Sequence, residues 1–371
     1  MHVIVVGAGV AGLSTALGLA RRGVNVSVLE RRETSFGGTS GLNAAIFRPL
    51  ETQKVMTALA RRNGALLDEL LGHRTAWLDN RGLVFTGQTK TLRQLSAEAE
   101  AASLVSKRWR GAELLRHVPA LTGGRWTEGL WLAAGGVIDL HRMARGLETE
   151  CRRLGVELVY QTEVTHLSSW RGGRWAVTTR PGPERLADAL VLASGAHSAR
   201  LAALTGSSVH LRVFKRTLAL LQPEAVRLSH VVWDVTTETY FRAESGGVLA
   251  SPCDEEPCGP DATASVTQDA LATLGSKLQP VAPRLASASV RRAWAGLRTF
   301  SEDQLPVIGL DPDVPGLYWC AALGGSGMTT GAALGDLAAT AVLGARVPPS
   351  LAARRFSATA RRRANPRRAE R

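Results

Sequence analysis

Residues 3–20 form an eighteen-residue run without a charge, and charged positions resume only at Arg21. Such a run reaches the lower length limit for a membrane-spanning helix. Gly7, Gly9, Gly12 and Gly18 lie within it, however, and the first two fall where a helix would nucleate. A secretory leader fits poorly too, because no lysine or arginine precedes the apolar stretch. The pattern divides instead into three elements. Residues 3–6 are a β-branched run suited to a strand buried on both faces. "LSTALGLARRG" is spaced as an amphipathic helix ending at Gly23, and "VNVSVLE" reads as a second strand closing on Glu30.

Between the first strand and the helix stands G-A-G-V-A-G. In that strand–turn–helix–strand context the glycines are the dinucleotide fingerprint. Gly7 permits the tight turn, Gly9 lets the backbone approach a pyrophosphate, and Gly12 lets helix and strand pack closely. Free N–H groups at the helix start face the phosphates, and Glu30 is placed to accept hydrogen bonds from a ribose hydroxyl.

Further along, helical periodicity covers residues 52–71, and "GLVFTGQ" and "GLWLAAGG" read as short strands flanking a charged helical middle. Asp139 opens a helix with arginines in its later turns. Residues 156–170, 174–180 and 187–201 supply strands that end in another glycine turn. Residues 211–252 turn to antiparallel alternation, including the hairpin-like "TETYFRAESGGVLASP", and residues 266–286 read as helical. Finally "GLYWCAALGGSGMTTGAALGDLAATAVLG" reads as strand, glycine turn and apolar helix. The fold class implied is α/β with an α+β second domain. A Rossmann-like nucleotide-binding domain, assembled from residues 1–77, 135–205 and 295–347, lies against a substrate domain with a mixed, largely antiparallel sheet from 78–134 and 206–294.

At 371 residues and 45% hydrophobic, the chain can bury two such cores. Its net charge of +13 invites a nucleic-acid reading. More than half of that excess sits from Arg354 onward, in "RRFSATARRRANPRRAER", so residues 348–371 read as a basic, disordered tail and no specific nucleic-acid partner is expected. Four cysteines are too few for a disulfide framework, and Cys253 and Cys258 lack a second pair to complete a zinc site, so no metal is expected. No leader and no transmembrane segment are visible, which leads to an expectation of a reduced cytoplasmic setting.

Five stretches in order ("VIVVGAGVAGLSTALGLA", "GGVIDLHRMARGLE", "LVLASGAHS", "WAGLRTFSEDQLPVIG" and "GLYWCAALGGSGMTTGAALGDLAA") resemble the D-amino-acid oxidase-like flavoproteins over residues 1 to about 345. That group includes glycine oxidase, sarcosine oxidase and D-amino acid dehydrogenases; the glycine oxidase and D-arginine dehydrogenase branches look most similar. The resemblance implies FAD and oxidation of an amino acid's C–N bond, with a D-amino acid or a glycine-like substrate. Hydride transfer would give an imino acid, which hydrolyses to an oxo acid. The electron acceptor is expected to be O2 or a quinone or other redox carrier. No cysteine occurs between Trp294 and Leu310, where sarcosine oxidases tether their flavin, so noncovalent FAD is expected.

The cofactor-facing set so implied comprises Gly7, Gly9, Val10, Ala11, Gly12, Glu30, Arg31, Ser40, Gly41, Asn43, Ala44, Val164, Ser194, Gly195, Gly324, Gly325, Ser326, Gly327 and Met328. On the substrate side the resemblance matches Arg298 of "WAGLR" to a carboxylate-binding arginine, and an arginine fork suits a carboxylate. It matches Arg216 and Tyr240 to pocket residues; a sheet aromatic is an equally ordinary reading of Tyr240, and for Arg216 a solvated strand arginine is favoured over a ligand. The loop departs from the dehydrogenase pattern, with Ile46 where a histidine is usual and Leu42-Asn43 where Arg-Ser is usual, and Arg48 follows as a candidate new pocket cation. His197 follows a glycine turn, where a structural role is favoured over acid–base catalysis. The altered loop motivates an alternative, oxidation of an N-substituted amino acid or amine in a specialised biosynthetic pathway. From another class, an Arg-tailed flavoprotein associated with nucleic acid is the remaining reading.

Overall fold

The computed structural model describes residues 1–169, 171–224 and 226–357. A six-stranded sheet carries the nucleotide fold. Its order is Val307–Leu310, Leu317–Ala321, Ala189–Leu192, His2–Val6, Asn25–Leu29, Glu157–Val159. All neighbours run parallel except the edge strand Val307–Leu310. The central parallel strands are near-continuous apolar runs because both faces are covered, one by helices and the other mainly by a three-stranded antiparallel sheet, Glu163–Ser169, Trp175–Arg180 and Arg185–Ala187.

Helix Val10–Ala20 packs along helix Gly327–Val342. The approach is close enough that a Cβ on Gly335 would run into Ser14, which explains the small-residue run "GAALGDLAA". Two helices that each follow a glycine turn are thereby held side by side. Helix Leu140–Arg153 begins as expected, with the Asp139 side chain accepting from the Arg142 N–H at 2.9 Å.

The second sheet has nine strands, mixed but mainly antiparallel, with one parallel pair between Leu83–Thr86 and Val231–Asp234. Strand Ser289–Phe300 pairs with Arg212–Gln222 over its whole length. The whole of 289–300 therefore belongs to this sheet, whereas the expected domain boundary fell at residue 295.

The expected tail boundary at residue 348 falls too early. The Ile308 N–H donates to the Leu351 carbonyl at 2.8 Å, and Ala352 bridges to Ile308. A short 3-10 helix, Ala353–Phe356, then buries Phe356, and Arg355 donates to both Asp303 oxygens at 2.7 and 2.9 Å. Residues 358–371, the rest of the expected tail, lie outside the described residues. Among the described residues no helix is long and apolar enough to cross a membrane, and no cluster of three or more His, Cys, Asp or Glu side chains could hold a metal ion.

Candidate active site

The glycine turns open on a cavity of about 520 Å³. Gly7 holds φ +103°, a conformation that L side chains rarely adopt, and a Cβ there would also press on the Ala193–Ser194 backbone. A Cβ on Gly12 would run into the Gly7 carbonyl oxygen. Gly9 stands open to the cavity, with Ser40 Oγ where its Cβ would reach and the Val10 N–H donating to the same Oγ at 3.1 Å. Glu30 is fixed by two backbone donors, Ala8 N–H to Oε2 and Arg32 N–H to Oε1, each at 2.8 Å. Its carboxylate lines the cavity with acceptor capacity left for a hydroxyl pair. Arg31 lines the same end, and burial, followed by the neighbouring Arg32 charge, lowers its pKa.

The loop after strand Glu256–Cys258, an edge of the second sheet, contributes to this end as well. Residues 260–264 line the cavity, and Asp261 bridges His197 Nδ1 at 3.0 Å and Arg200 at 3.6 Å. Arg200 also pairs with Glu163 at 3.0 Å. Burial, then the Arg31 charge, pushes the His197 pKa down, while Asp261 opposes the shift. His197 thus serves as a strut between segments rather than as an exposed base.

Strand Ser289–Phe300 ties the two sheets together at the other end. Thr39 Oγ1 donates to the Leu297 carbonyl at 2.7 Å, and the Gly324 N–H donates to the Thr299 carbonyl at 3.0 Å. Both cofactor-side loops are therefore pinned to the strand that carries Arg298. Asn43 Nδ2 donates to the Ser40 carbonyl at 2.6 Å and its Oδ1 accepts from the Ala45 N–H at 2.6 Å, so this side chain shapes its own loop.

A second cavity, of about 40 Å³, adjoins the first, sharing Asn43, Arg298, Gly325 and Met328 with it. Arg298 is 5% exposed and donates only to two backbone carbonyls, Leu297 at 3.2 Å and Leu42 at 3.4 Å. It has no carboxylate partner among the described residues. Burial draws its pKa down to about 10, with Arg216 adding to the effect, and the guanidinium stays charged at neutral pH. Arg216 also lines the small cavity, but Glu255 holds it at 2.9 Å. Tyr240 is buried and stacks on Trp233 at 4.7 Å, and burial raises its phenol pKa. Arg48 is clamped by Glu51 and lies 4.1 Å over the Trp233 ring.

The structure brings most of the expected cofactor set onto the large cavity, and Ala44 and Ser326 onto the small one. Gly12 and Gly41 line neither; they permit close packing, since a Cβ on Gly41 would press on the Phe36 carbonyl oxygen. Glu51, Trp233 and Asp261 are absent from the sequence-based set. Cys253, without the second pair a zinc site would need, is buried beside Tyr240, and burial raises its pKa.

A Rossmann-like sheet with two helix N-termini on one large cavity, joined to a small pocket where one of three lining arginines is buried without an acid partner among the described residues, defines a dinucleotide-binding protein with an adjoining anion pocket. Residues 2–341 match the family model "FAD dependent oxidoreductase" (DAO), and the chain belongs to that family. Its cofactor is FAD, which the glycine cradle and the anchored Glu30 fit. The chain is similar to glycine oxidase of Geobacillus kaustophilus, 27% identical over 333 residues that cover 85% of this chain and 86% of that protein. It is also 27% identical over 371 residues to the tRNA 5-methylaminomethyl-2-thiouridine biosynthesis bifunctional protein MnmC of Thiobacillus denitrificans, covering 94% of this chain. The chain spans only 57% of that relative's length. Among solved structures, L-proline dehydrogenase from P. horikoshii superimposes with a TM-score of 0.83 at 20% identity, covering 96% of this chain and 97% of that one. That likeness is one of fold.

Proposed function

We propose that the protein oxidises the C–N bond of an amino acid, with Arg298 binding the carboxylate. The observation that carries this reading is the Arg298 guanidinium, nearly fully buried without an acid partner among the described residues, where the two cavities meet. A buried charge is costly unless it is paired, so the site calls for an anionic ligand. A planar fork binds a carboxylate bidentately. FAD, when bound, accepts the two electrons. The chain's own part is to bind, orient and exclude water. Arg298 fixes the carboxylate, which aims the α-carbon and its amine back towards the large cavity. Tyr240, a neutral phenol whose pKa burial raises further, walls the pocket. Arg216 is held by Glu255 and by the Asp254 carbonyl, and contributes wall and field. A substrate amine that enters neutral needs no side-chain base. The imino acid product hydrolyses in water to an oxo acid and ammonia or an amine.

The similarity to glycine oxidase supports a primary or glycine-like amino acid. The similarity to MnmC supports a second reading, a secondary amine carried on a larger molecule such as a tRNA nucleoside, with the same arginine holding a glycine-like carboxylate. Anaerobic mixing of the FAD-loaded protein with glycine, sarcosine, D- and L-amino acids, iminodiacetate and tRNA separates the readings by which one bleaches the flavin; readmitting air then separates O2 from a carrier as acceptor. Bleaching by simple amines but by no carboxylate-bearing compound would remove the proposal. Truncation after residue 357, which spares the docked 3-10 helix, tests the nucleic-acid reading, since an enzyme of small molecules keeps its turnover without the tail.

A further inference from the structure

The small cavity has a wall that the nucleotide fingerprint does not explain. Arg48 Nε donates to Glu51 Oε1 at 3.0 Å, and Nη2 donates to Glu51 Oε2. The guanidinium lies against the Trp233 ring at 4.1 Å, and the Arg48 N–H donates to Thr329 Oγ1 at 3.2 Å. Glu51 is 8% exposed, and its own N–H donates to Thr57 Oγ1 at 3.0 Å. Arg48 is therefore neutralised and immobilised. A bidentate, stacked guanidinium with a nearly buried acid partner is a wall rather than a free ligand for an anion.

That wall encloses little space. The cavity's 40 Å³ compares with roughly 10–15 Å³ for each water-sized probe, or about three such positions. A carboxylate on Arg298 and an α-carbon nearly fill it. We propose that the Arg48–Glu51 pair is the specificity-determining element of the pocket, and that it restricts the substrate to amino acids whose α-carbon carries no side chain or a short one, by occupying the room a larger side chain needs. The proposal rests on the reading of this cavity as the carboxylate site.

The test uses the FAD-loaded full chain and non-reacting carboxylates, with binding read from the visible flavin spectrum. Wild type should bind acetate more tightly than 3-methylbutanoate. The double variant Arg48→Ala/Glu51→Gln, which leaves no buried charge unpaired, should reverse that preference. Each methylene newly accommodated is worth about fourfold in affinity, so the 3-methylbutanoate-to-acetate ratio should rise at least about tenfold. Glu51→Gln alone, which unclamps Arg48 without removing it, should move the ratio the same way by a smaller factor and covers the case in which the double variant loses FAD. An unchanged ratio in the variants, or a wild type that binds both acids equally, overturns the proposal. Acetate binding that survives Arg298→Ala unchanged instead overturns the carboxylate site itself, and the size limit with it.

Discussion

Replacing Arg298 by methionine should move stability and function in opposite directions. Arg298 is 5% exposed, and its only hydrogen-bond acceptors among the described residues are two carbonyls, at 3.2 and 3.4 Å. Without a bound anion it is therefore a desolvated charge with weak compensation, which burial already disfavours. Replacing buried ionic groups by apolar side chains of similar volume is often neutral or stabilising, by about 1–4 kcal/mol. FAD-loaded Arg298→Met should melt at or above the wild-type temperature. Function should go the other way. Truncating one partner of a buried charge pair costs about 2–5 kcal/mol, and each 1.4 kcal/mol is about tenfold, so carboxylate affinity should fall by a factor between roughly thirty and a few thousand. Arg298→Lys should recover little, because an ammonium cannot reproduce the planar fork. The assays are thermal melting of the holoprotein, acetate titration, and anaerobic reduction by the best amino acid beside its decarboxylated amine. The amine should be a poor substrate for wild type and lose little further in the variant. A lower melting temperature together with equal losses on amine and amino acid would show that Arg298 is structural.

Three further outcomes follow from the cofactor side. Gly12→Ala forces a Cβ onto the Gly7 carbonyl oxygen, so the purified variant should lack the flavin colour that wild type retains and releases as intact FAD on acid denaturation. Asp261→Asn cuts the charge that joins residues 260–264 to His197 and Arg200; flavin fluorescence after dilution should report faster FAD release, and an unchanged rate would mean this segment does not retain the cofactor. His197 has a folded pKa below its ordinary value of about 6.5, so the unfolded chain binds its proton first. Its contribution is present in full above that value and is lost as pH falls towards the folded pKa. His197→Gln should therefore flatten the drop in melting temperature between neutral and mildly acid pH; an identical drop would exclude the histidine as its source.

Legibility in the sequence followed how local each signal is. The strand His2–Val6, the helix Val10–Ala20 and the Asp139 cap were readable because apolar periodicity and turn chemistry act within a few residues. Strand Ser289–Phe300 gives no such signal. It carries exposed Arg291 and Arg292 at one end, Gly296 in the middle and a buried arginine near the other, which breaks the alternation a strand usually shows. Leu351 and Phe356 were lost for a different reason. Two apolar anchors among arginines vanish in an average over the tail, yet both are buried.

The site divides along the same line. Gly7, Gly9 and Glu30 encode backbone geometry, so a motif finds them, whereas Asp261 reaches His197 only through the meeting of two distant segments. Charge is the instructive case. The chain has 45 basic and 32 acidic side chains, and three of the arginines, Arg48, Arg216 and Arg298, line one cavity of about 40 Å³. Counting them suggests a strongly cationic pocket suited to a polyanion. The acids decide otherwise, because Glu51 takes Arg48 and Glu255 takes Arg216. What remains for a ligand is one fork's worth of positive charge, on the residue whose partners among the described residues are carbonyls alone. On the function proposed above, a single carboxylate satisfies that remainder. A dianion would have to break one of the two pairs, and for Glu51 that would leave a nearly buried carboxylate uncompensated.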